Sequence, residues 1–430
     1  MNKKVDHIIL IIKYLLLSLP ILLITGPLLP EIAIGIIFFL MLYDFFKKKF
    51  FFPEKKFVIC FLLFYLILVT GSIFSDYTLY SLKSSIFYIR FLILTFAVYY
   101  VLDNSKNFLN LLKNILFIIF ILLILDGFYQ YLFKQNIIGL TNFNKGRVSS
   151  FFGKELIYGS YLARFLPILI GLLIFFQKKN SDKLIIYLLI LLSAVSIFIS
   201  GERAAIILSL TSIIIIVFTT NFFKKSKFYI FFFIISFFTI ITFSNDVIKK
   251  KWQSTITGTV FNLLNEKIII DNKTYPLIIN EKYTYMTLSS YKMFKEKPLI
   301  GHGVKSFRFN CKKEPYKFDK FDSYNFRLNC GNHPHNTYMQ LLSETGLISF
   351  ALVLCYFFII FYNLILSYIN SKKGKYAKTF DFKVCILSCI FINLFPLTTT
   401  GNFFNNWLSI VYFFPIGFLL FLNKNYKFSI

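Results

Sequence analysis

Residues 184–220 read LIIYLLILLSAVSIFISGERAAIILSLTSIIIIVFTT, two apolar runs (184–200 and 204–220) parted only by Gly201, Glu202 and Arg203. Each run, wound as a helix, is long enough to cross a hydrocarbon core of ~30 Å. Two helices with so short a link turn back on each other at a membrane face. Arg203 is therefore expected at that face or just beneath it.

The rest of the chain repeats the pattern. Hydrophobic residues make up 57% of the 430 residues and the mean hydropathy is +0.67, beyond the apolar share of a water-soluble domain. About twelve runs have spanning length: 7–25, 29–46, 57–74, 86–102, 114–133, 156–176, 184–200, 204–220, 228–244, 345–369, 383–398 and 406–422. The first lacks a small-residue cleavage site and is followed by further spans, so it reads as a retained helix. The expected fold is an all-α polytopic membrane protein of about twelve transmembrane helices, with one large extracytoplasmic loop domain between spans nine and ten.

The net charge of +27 does not point to nucleic acid, because the lysines lie in alternate short loops and not on a basic domain. KKKFFFPEKK (47–56), DNSKN (103–107), QKKNSDK (177–183), FKKSK (223–227), NSKKGKYAK (370–378) and NKNYK (423–427) are lysine-rich. GPLLPE (26–31), SDYTLYSLKSS (75–85), SGE (200–202) and TTTGNFF (398–404) carry almost none. The asymmetry predicts both termini in the cytoplasm. One outer loop, 134–155, departs from it with Lys134, Lys145, Arg147 and Lys154.

This topology divides the chain into spans one to nine (1–244), a large outer loop (245–336) and spans ten to twelve (337–430). The loop is too long for a bare connection and is expected to fold as a small unit. It holds Cys311 and Cys330, whereas Cys60, Cys355, Cys385 and Cys389 fall in spans. In an oxidising compartment a Cys311–Cys330 disulfide is the natural expectation, with free thiols or half of a metal site as the alternatives. KIIIDNKTYPLII (267–279) reads as a hairpin, and EKYTYMTLSSYKMFKEK (281–297) as an amphipathic helix stopped by Pro298. The glycines of PLIGHGVKSF (298–307) read as turn residues, and so does His302 between them.

Charges inside or beside spans are costly and tend to line functional cavities. Arg203, Arg164 within GSYLARFLPIL, Arg147 in NKGRVSSFFGKE and Arg90 within IFYIRFLIL qualify. Snorkelling, or pairing with acids such as Glu155 or Glu202, accounts for each equally simply, for Arg90 above all. Three of them near the outward face suggest an anion site there, since guanidinium binds phosphate oxygens bidentately. NHPHNTYMQLLSETGL (332–347) ends the loop. Asn336 or Thr337 would cap a helix entering the membrane, and the helix start would favour an anion. His335 beside that start suits proton abstraction near neutral pH, with His333 as support. A plain turn-and-cap role for HPHN stays open. Zinc would need a third and fourth ligand that no suitable spacing supplies, so no metal is expected.

Together, SGERAAIIL, PLIGHGVKSFR and HPHNTYMQLLSETGLISF resemble the O-antigen ligase and O-antigen polymerase superfamily, most specifically from Arg203 to Phe350. The resemblance implies a metal-independent, cofactor-free glycosyltransferase of the bacterial inner membrane, with its large loop in the periplasm. Such enzymes move a glycan from undecaprenyl pyrophosphate to a lipid A-core sugar (ligase) or to another lipid-linked repeat (polymerase). It implies His335 as general base and Arg203 as holder of the pyrophosphate. The chain departs from the ligase pattern where a second arginine is expected at the start of the helix before the PLIG turn. Lys282 and Tyr283 stand there, and Arg308 is the better-suited substitute. The expected substrate-binding set is thus Arg203, Arg308, Arg147, Arg164 and Lys282, with His333, Asn336 and Glu344 supporting His335. Ligase is favoured slightly over polymerase. A non-enzymatic transporter of lipid-linked glycan is the rival of another class, and the oligomeric state is not legible.

Overall fold

The computed structural model describes residues 7–47, 54–141, 147–230, 266–270, 273–318, 327–369 and 377–425, with isolated positions 232, 235, 236, 239 and 320. Before the large loop the described residues include helices α1 (His7–Leu22), α2 (Leu28–Lys47), α3 (Lys55–Ile73), α4 (Thr78–Ile86), α5 (Ile89–Asn104), α6 (Phe108–Phe133), α7 (Tyr158–Phe176), α8 (Asn180–Ile199) and α9 (Arg203–Thr219). The loop contributes β1 (Lys267–Ile270), β2 (Lys273–Pro276), α10 (Glu281–Glu296) and α11 (Phe307–Asn310). Helices α12 (Thr337–Ile369), α13 (Ala377–Asn393) and α14 (Asn406–Asn425) follow.

The protein is an all-α polytopic membrane protein. Among the described residues eight helical stretches are long and apolar enough to cross a membrane, and α1 and α9 are shorter apolar helices. Some expected spans come out differently. The run at 86–102 is preceded by a separate short helix, α4, and the chain turns at Phe87–Tyr88 before α5. The run at 383–398 is shifted to Ala377–Asn393. The tenth span begins at Thr337, where a capped helix entering the membrane is expected. The ninth span, 228–244, lies mostly outside the described residues.

Helix α7 is central, packing on α13, α8, α9 and α6, while α14 packs on α5 and α13, and α3 lies along α12. Its polar entries are few, so nearly every face can be buried. The outer helices instead present Phe39 and Leu66 to the surroundings, as hydrocarbon-facing helices must.

The loops sort to two ends as their lysine content predicts. At one end Lys424 meets Asp103 at 3.1 Å, and Asp381 of α13 accepts from the Asn221 and Phe222 amides at 2.9 and 3.0 Å. At the other, Asp76 pairs with Lys297 and Lys313, and the 398–402 loop meets the residues before α12.

The large loop has small cores of its own. Strands β1 and β2 pair antiparallel, Lys267 opposite Pro276 and Ile270 opposite Lys273, across the expected turn, of which Asp271 and Asn272 lie outside the described residues. Ile270, Tyr285 and Phe318 pack together, and so do Met286, Met293, Phe307 and Tyr316. Asn280 caps α10 by accepting from the Tyr283 amide at 3.1 Å. Cys311 and Cys330 are joined in a disulfide 19 residues apart in sequence. Asn329 donates to the Cys311 and Tyr316 carbonyls beside it. Closing a loop of this length stabilises by roughly 3 kcal/mol in the chain-entropy view. Cys311→Ser is therefore expected to lower the thermal midpoint of the purified protein by several degrees. An unchanged midpoint under non-reducing conditions would show that the crosslink contributes nothing.

The PLIGHGVKSF turn is joined to α12 where that helix breaks. Gly346 has φ 76° and ψ −175°, outside helical space. The Leu347 amide bonds the Pro298 carbonyl at 2.8 Å, and the His302 and Gly303 amides bond the Ser343 and Glu344 carbonyls. A Cβ on Gly301 would lie 2.4 Å from the Glu344 carbonyl carbon, so the two backbones touch. These glycines are turn and contact residues, as expected from sequence.

Candidate functional site

The site is organised by the start of α12. Asn336 accepts from the Tyr338 and Met339 amides at 3.0 and 3.1 Å and donates to the Pro396 carbonyl at 2.9 Å. It is the N-cap, and it occupies two of the amides that an anion at the helix start would have used. The helix field remains, but direct binding of an anion there loses those donors.

One residue earlier, His335 takes a left-handed φ of 57°, which histidine tolerates better than most side chains. Its carbonyl accepts from the Thr400 amide at 2.9 Å, and the His333 Nε2 lies 3.1 Å from the Thr400 carbonyl. The imidazoles are 4.3 Å apart between centroids. Burial lowers the His335 pKa below the ordinary 6.5, Lys282 lowers it further, and the Thr400 backbone opposes them. His333 is pushed down to about 4, by burial first and then by His335. Both rings are accordingly neutral at pH 7.

Helix α10 brings its first turn onto His335. The Tyr283 ring stands edge-on to the imidazole at 5.8 Å. Burial raises the Tyr283 pKa, and the Arg203 charge pulls it back. Arg203, at the first position of α9, is exposed. Lys282 and Arg203 therefore reach the same small region from two elements.

Beneath Arg203, Glu202 is buried and fastened to the start of α7. It accepts from the Gly159 amide at 2.6 Å and from the Ser160 amide and hydroxyl at 3.1 and 2.8 Å. Burial raises its pKa, while these bonds and the Arg147 charge lower it. Arg147 comes from the loop after α6, which α6 itself anchors. Gln130 accepts from the Ser149 and Ser150 amides at 2.9 and 2.7 Å, and Asp126 accepts from the Ile137 amide at 2.9 Å. The buried Nε of Arg147 has no hydrogen-bond partner among the described residues. That unpaired donor is a reason to expect a ligand oxygen beside it.

Arg308 approaches from the other histidine. Its Nη2 lies 3.5 Å from the Asn332 carbonyl and its charge acts on His333, while its buried Nε is also without a partner among the described residues. Glu344 is a fastener: it accepts from the Lys305 and Phe307 amides at 2.9 and 3.1 Å and from the Gln340 side chain at 2.9 Å. It fixes the segment carrying Lys305 and Arg308 onto α12. Gln340 also accepts from the Phe403 amide at 2.9 Å, tying in the 398–404 loop.

Two arginines stand apart. Arg164 is buried inside the helix packing, bonded to Asn393 of α13 and lying 5.8 Å from the Tyr412 ring centroid. It faces neighbouring helices, not the histidines, because its position two turns into α7 is surrounded by α13 and α14. Arg90 pairs with Glu31 at 3.2 Å and Asn406 at 2.7 Å. The structure thus gathers Arg203, Lys282, Arg147, His335, His333 and Arg308 around one end of the molecule. Sequence reasoning missed Tyr283 as a ring contact, Thr400 as the anchor of both histidines, and Lys305, whose charge lies among Arg308, Glu344, Arg90 and Glu31. Lys305 and Tyr283 were signalled only by standing within motifs already singled out, and Thr400 by nothing local.

Residues 188–354 match the family model described as O-Antigen ligase, and the match supports the O-antigen ligase and polymerase superfamily of membrane glycosyltransferases. The matched stretch includes Arg203, Lys282, Arg308, His335 and Glu344 and leaves out Arg147 and Arg164. No curated protein matches the chain.

Proposed function

We propose, with the O-antigen ligase and polymerase superfamily as premise, that this protein transfers a glycan from undecaprenyl pyrophosphate to a sugar hydroxyl at the outer leaflet of the bacterial inner membrane. The observation that carries the reading is the neutral imidazole of His335 against the Tyr283 ring before α12, with the Lys282 charge acting on the first and the Arg203 charge on the second. The lysine-poor loops gathered at that end support its facing the periplasm, with the termini in the cytoplasm. The acceptor is lipid A-core in the ligase form of the proposal. A growing repeat, as in a polymerase, is the alternative.

The chemistry follows from the groups. His335 accepts the proton of the acceptor hydroxyl, whose oxygen attacks the anomeric carbon. The bond from that carbon to the pyrophosphate oxygen breaks, and its electron pair leaves with the undecaprenyl pyrophosphate. Arg203, Lys282 and Arg147 stabilise the charge that develops there. A single displacement inverts the anomeric configuration. His333 orients His335, Asn336 caps the helix that follows it, Glu344 fastens the Arg308 segment to α12, and Arg164 supports the helix packing with Asn393 and Tyr412.

Arg203→Ala, assayed with lipid-linked donor in proteoliposomes, is expected to reduce kcat/KM by about 100-fold or more, and Arg203→Lys to recover part of it. Unimpaired transfer by the alanine variant would remove the assignment. The pH profile offers a separate check. A base must be neutral to act, and burial and Lys282 lower the His335 pKa below 6.5, so more than half of the plateau rate should remain at pH 6.5 and the midpoint of the acid limb should lie below it. An acid limb centred above 6.5 would contradict that.

A further inference from the structure

Three aromatic rings from separate parts of the chain meet beside Arg308. Tyr77 and Tyr80, before and within α4, face Phe309 of α11: Tyr77 stacks on Phe309 with centroids 4.4 Å apart, and Tyr80 meets it edge-on at 5.0 Å. Tyr80 is 39% exposed, so part of its ring is open to a ligand. The Arg308 guanidinium lies 5.6 Å from the Tyr80 centroid, and its Nη2 reaches the carbonyl of Asn332, next to His333. One side chain therefore bridges the histidine pair and the aromatic surface.

The charges around this surface are unequal. Lys297 and Lys313 share the single carboxylate of Asp76, at 3.5 and 3.4 Å. Arg308 keeps a buried Nε with no hydrogen-bond partner among the described residues, and Glu344, the nearest acid acting on it, is already bonded to two amides and Gln340. The cations also divide between the histidines. Lys282 acts on His335, whereas Arg308 acts on His333. With Arg203, Arg147 and Lys282 given to the pyrophosphate, Arg308 is left to a different anionic group.

An exposed aromatic ring beside an under-paired guanidinium is the pairing that an acidic sugar fits. The C–H face of a pyranose is apolar and lies flat on a ring, and its carboxylate takes the fork of an arginine. We propose that Tyr77, Tyr80 and Phe309 with Arg308 form the acceptor subsite, recognising an acidic glycan whose ring rests on Tyr80 while its carboxylate pairs with Arg308. This rests on the transferase reading and names the acceptor class within it. It also moves Arg308 from the pyrophosphate to the acceptor.

The test uses the full chain in lipid nanodiscs and calorimetric titration with trigalacturonate, an acidic trisaccharide, and with uncharged galactotriose. The acidic sugar is expected to bind at least tenfold tighter. Tyr80→Ala and Arg308→Ala should each weaken it by tenfold or more, and Tyr80→Phe should retain it because the ring and its face remain. Equal binding of the two sugars, binding of neither, or full affinity in Tyr80→Ala overturns the proposal. Inorganic pyrophosphate titrated into the same samples separates the two readings. Its binding should fall in Arg203→Ala and persist in Tyr80→Ala. Pyrophosphate binding indifferent to Arg203 would sink the transferase reading itself, whatever the sugars do.

Discussion

His335→Ala is expected to reduce glycan transfer by about 100- to 10,000-fold, the range that removing a positioned general base produces. The size follows from the surroundings of the ring. Lys282 and Arg203 bring positive charge, and burial keeps the imidazole neutral. His333 shares the neutral state, but its Nε2 is engaged at the Thr400 carbonyl. Alanine alone would be ambiguous, because position 335 adopts φ 57° and a loss of activity could follow from a shifted backbone. His335→Asn resolves this. Asparagine tolerates left-handed φ and keeps a polar amide in the same place, but it cannot carry a proton. The Asn variant should melt at the wild-type temperature and transfer no better than the Ala variant. His333→Ala should cost less, since its ring is held by the Thr400 carbonyl and meets substrate only through its neighbour. If His335→Asn retains appreciable transfer, the base is another group.

Gly346→Ala is expected to destabilise the protein by more than about 3 kcal/mol, the largest effect on stability foreseen for a single methyl group here. Two costs combine. The backbone at φ 76°, ψ −175° belongs to a region that is essentially glycine's alone. A Cβ would also sit 2.2 Å from the Leu299 carbonyl oxygen and 2.7 Å from the Ile300 nitrogen, both backbone atoms that cannot step aside. Relief would require breaking the bond from the Leu347 amide to the Pro298 carbonyl, and with it the docking of the loop. A thermal melt of detergent-solubilised protein reads the effect directly. A midpoint within a degree or two of wild type would mean that the loop docks elsewhere.

Much of the architecture was legible because hydrophobic length and lysine asymmetry are local properties. The apolar runs from His7 to Thr219 and from Thr337 onward each fall on a helix, with ends displaced by up to about six residues at Phe108 and Ala377 and with the break at Phe87–Tyr88 unforeseen. That break is a matter of two residues inside an apolar run, where hydropathy has no contrast to offer. The start of α12 at Thr337 was legible from Asn336 or Thr337 as a cap, although Thr337–Thr345 precedes the apolar run.

The site was legible in its residue types and less so in its pairings. Arg164 reads as a costly charge in a span, but a sequence does not say which face of α7 meets α13, and so Asn393 as its partner was out of reach. Thr400 anchors both histidines from more than sixty residues away, with nothing in TTTGN to mark which threonine does so. Tyr283 was noticed only as a departure from an expected arginine. In the structure it is a ring edge against His335, with Arg203 acting on it from α9.

The way residues 298–307 are fastened has a consequence for how chains of this design can change length. Pro298 is bonded to Leu347 at one end, and Phe307 to Glu344 at the other, with Gly301 pressed on the α12 backbone between them. The ten residues act as a ruler laid along less than two turns of helix. Adding or removing one residue inside it would slide Arg308 off its register with His333, whereas an insertion before Asn280 leaves both fastenings in place. Natural and engineered variants that lengthen the loop should therefore do so upstream of α10, and the ruler itself should keep its length even where its side chains differ.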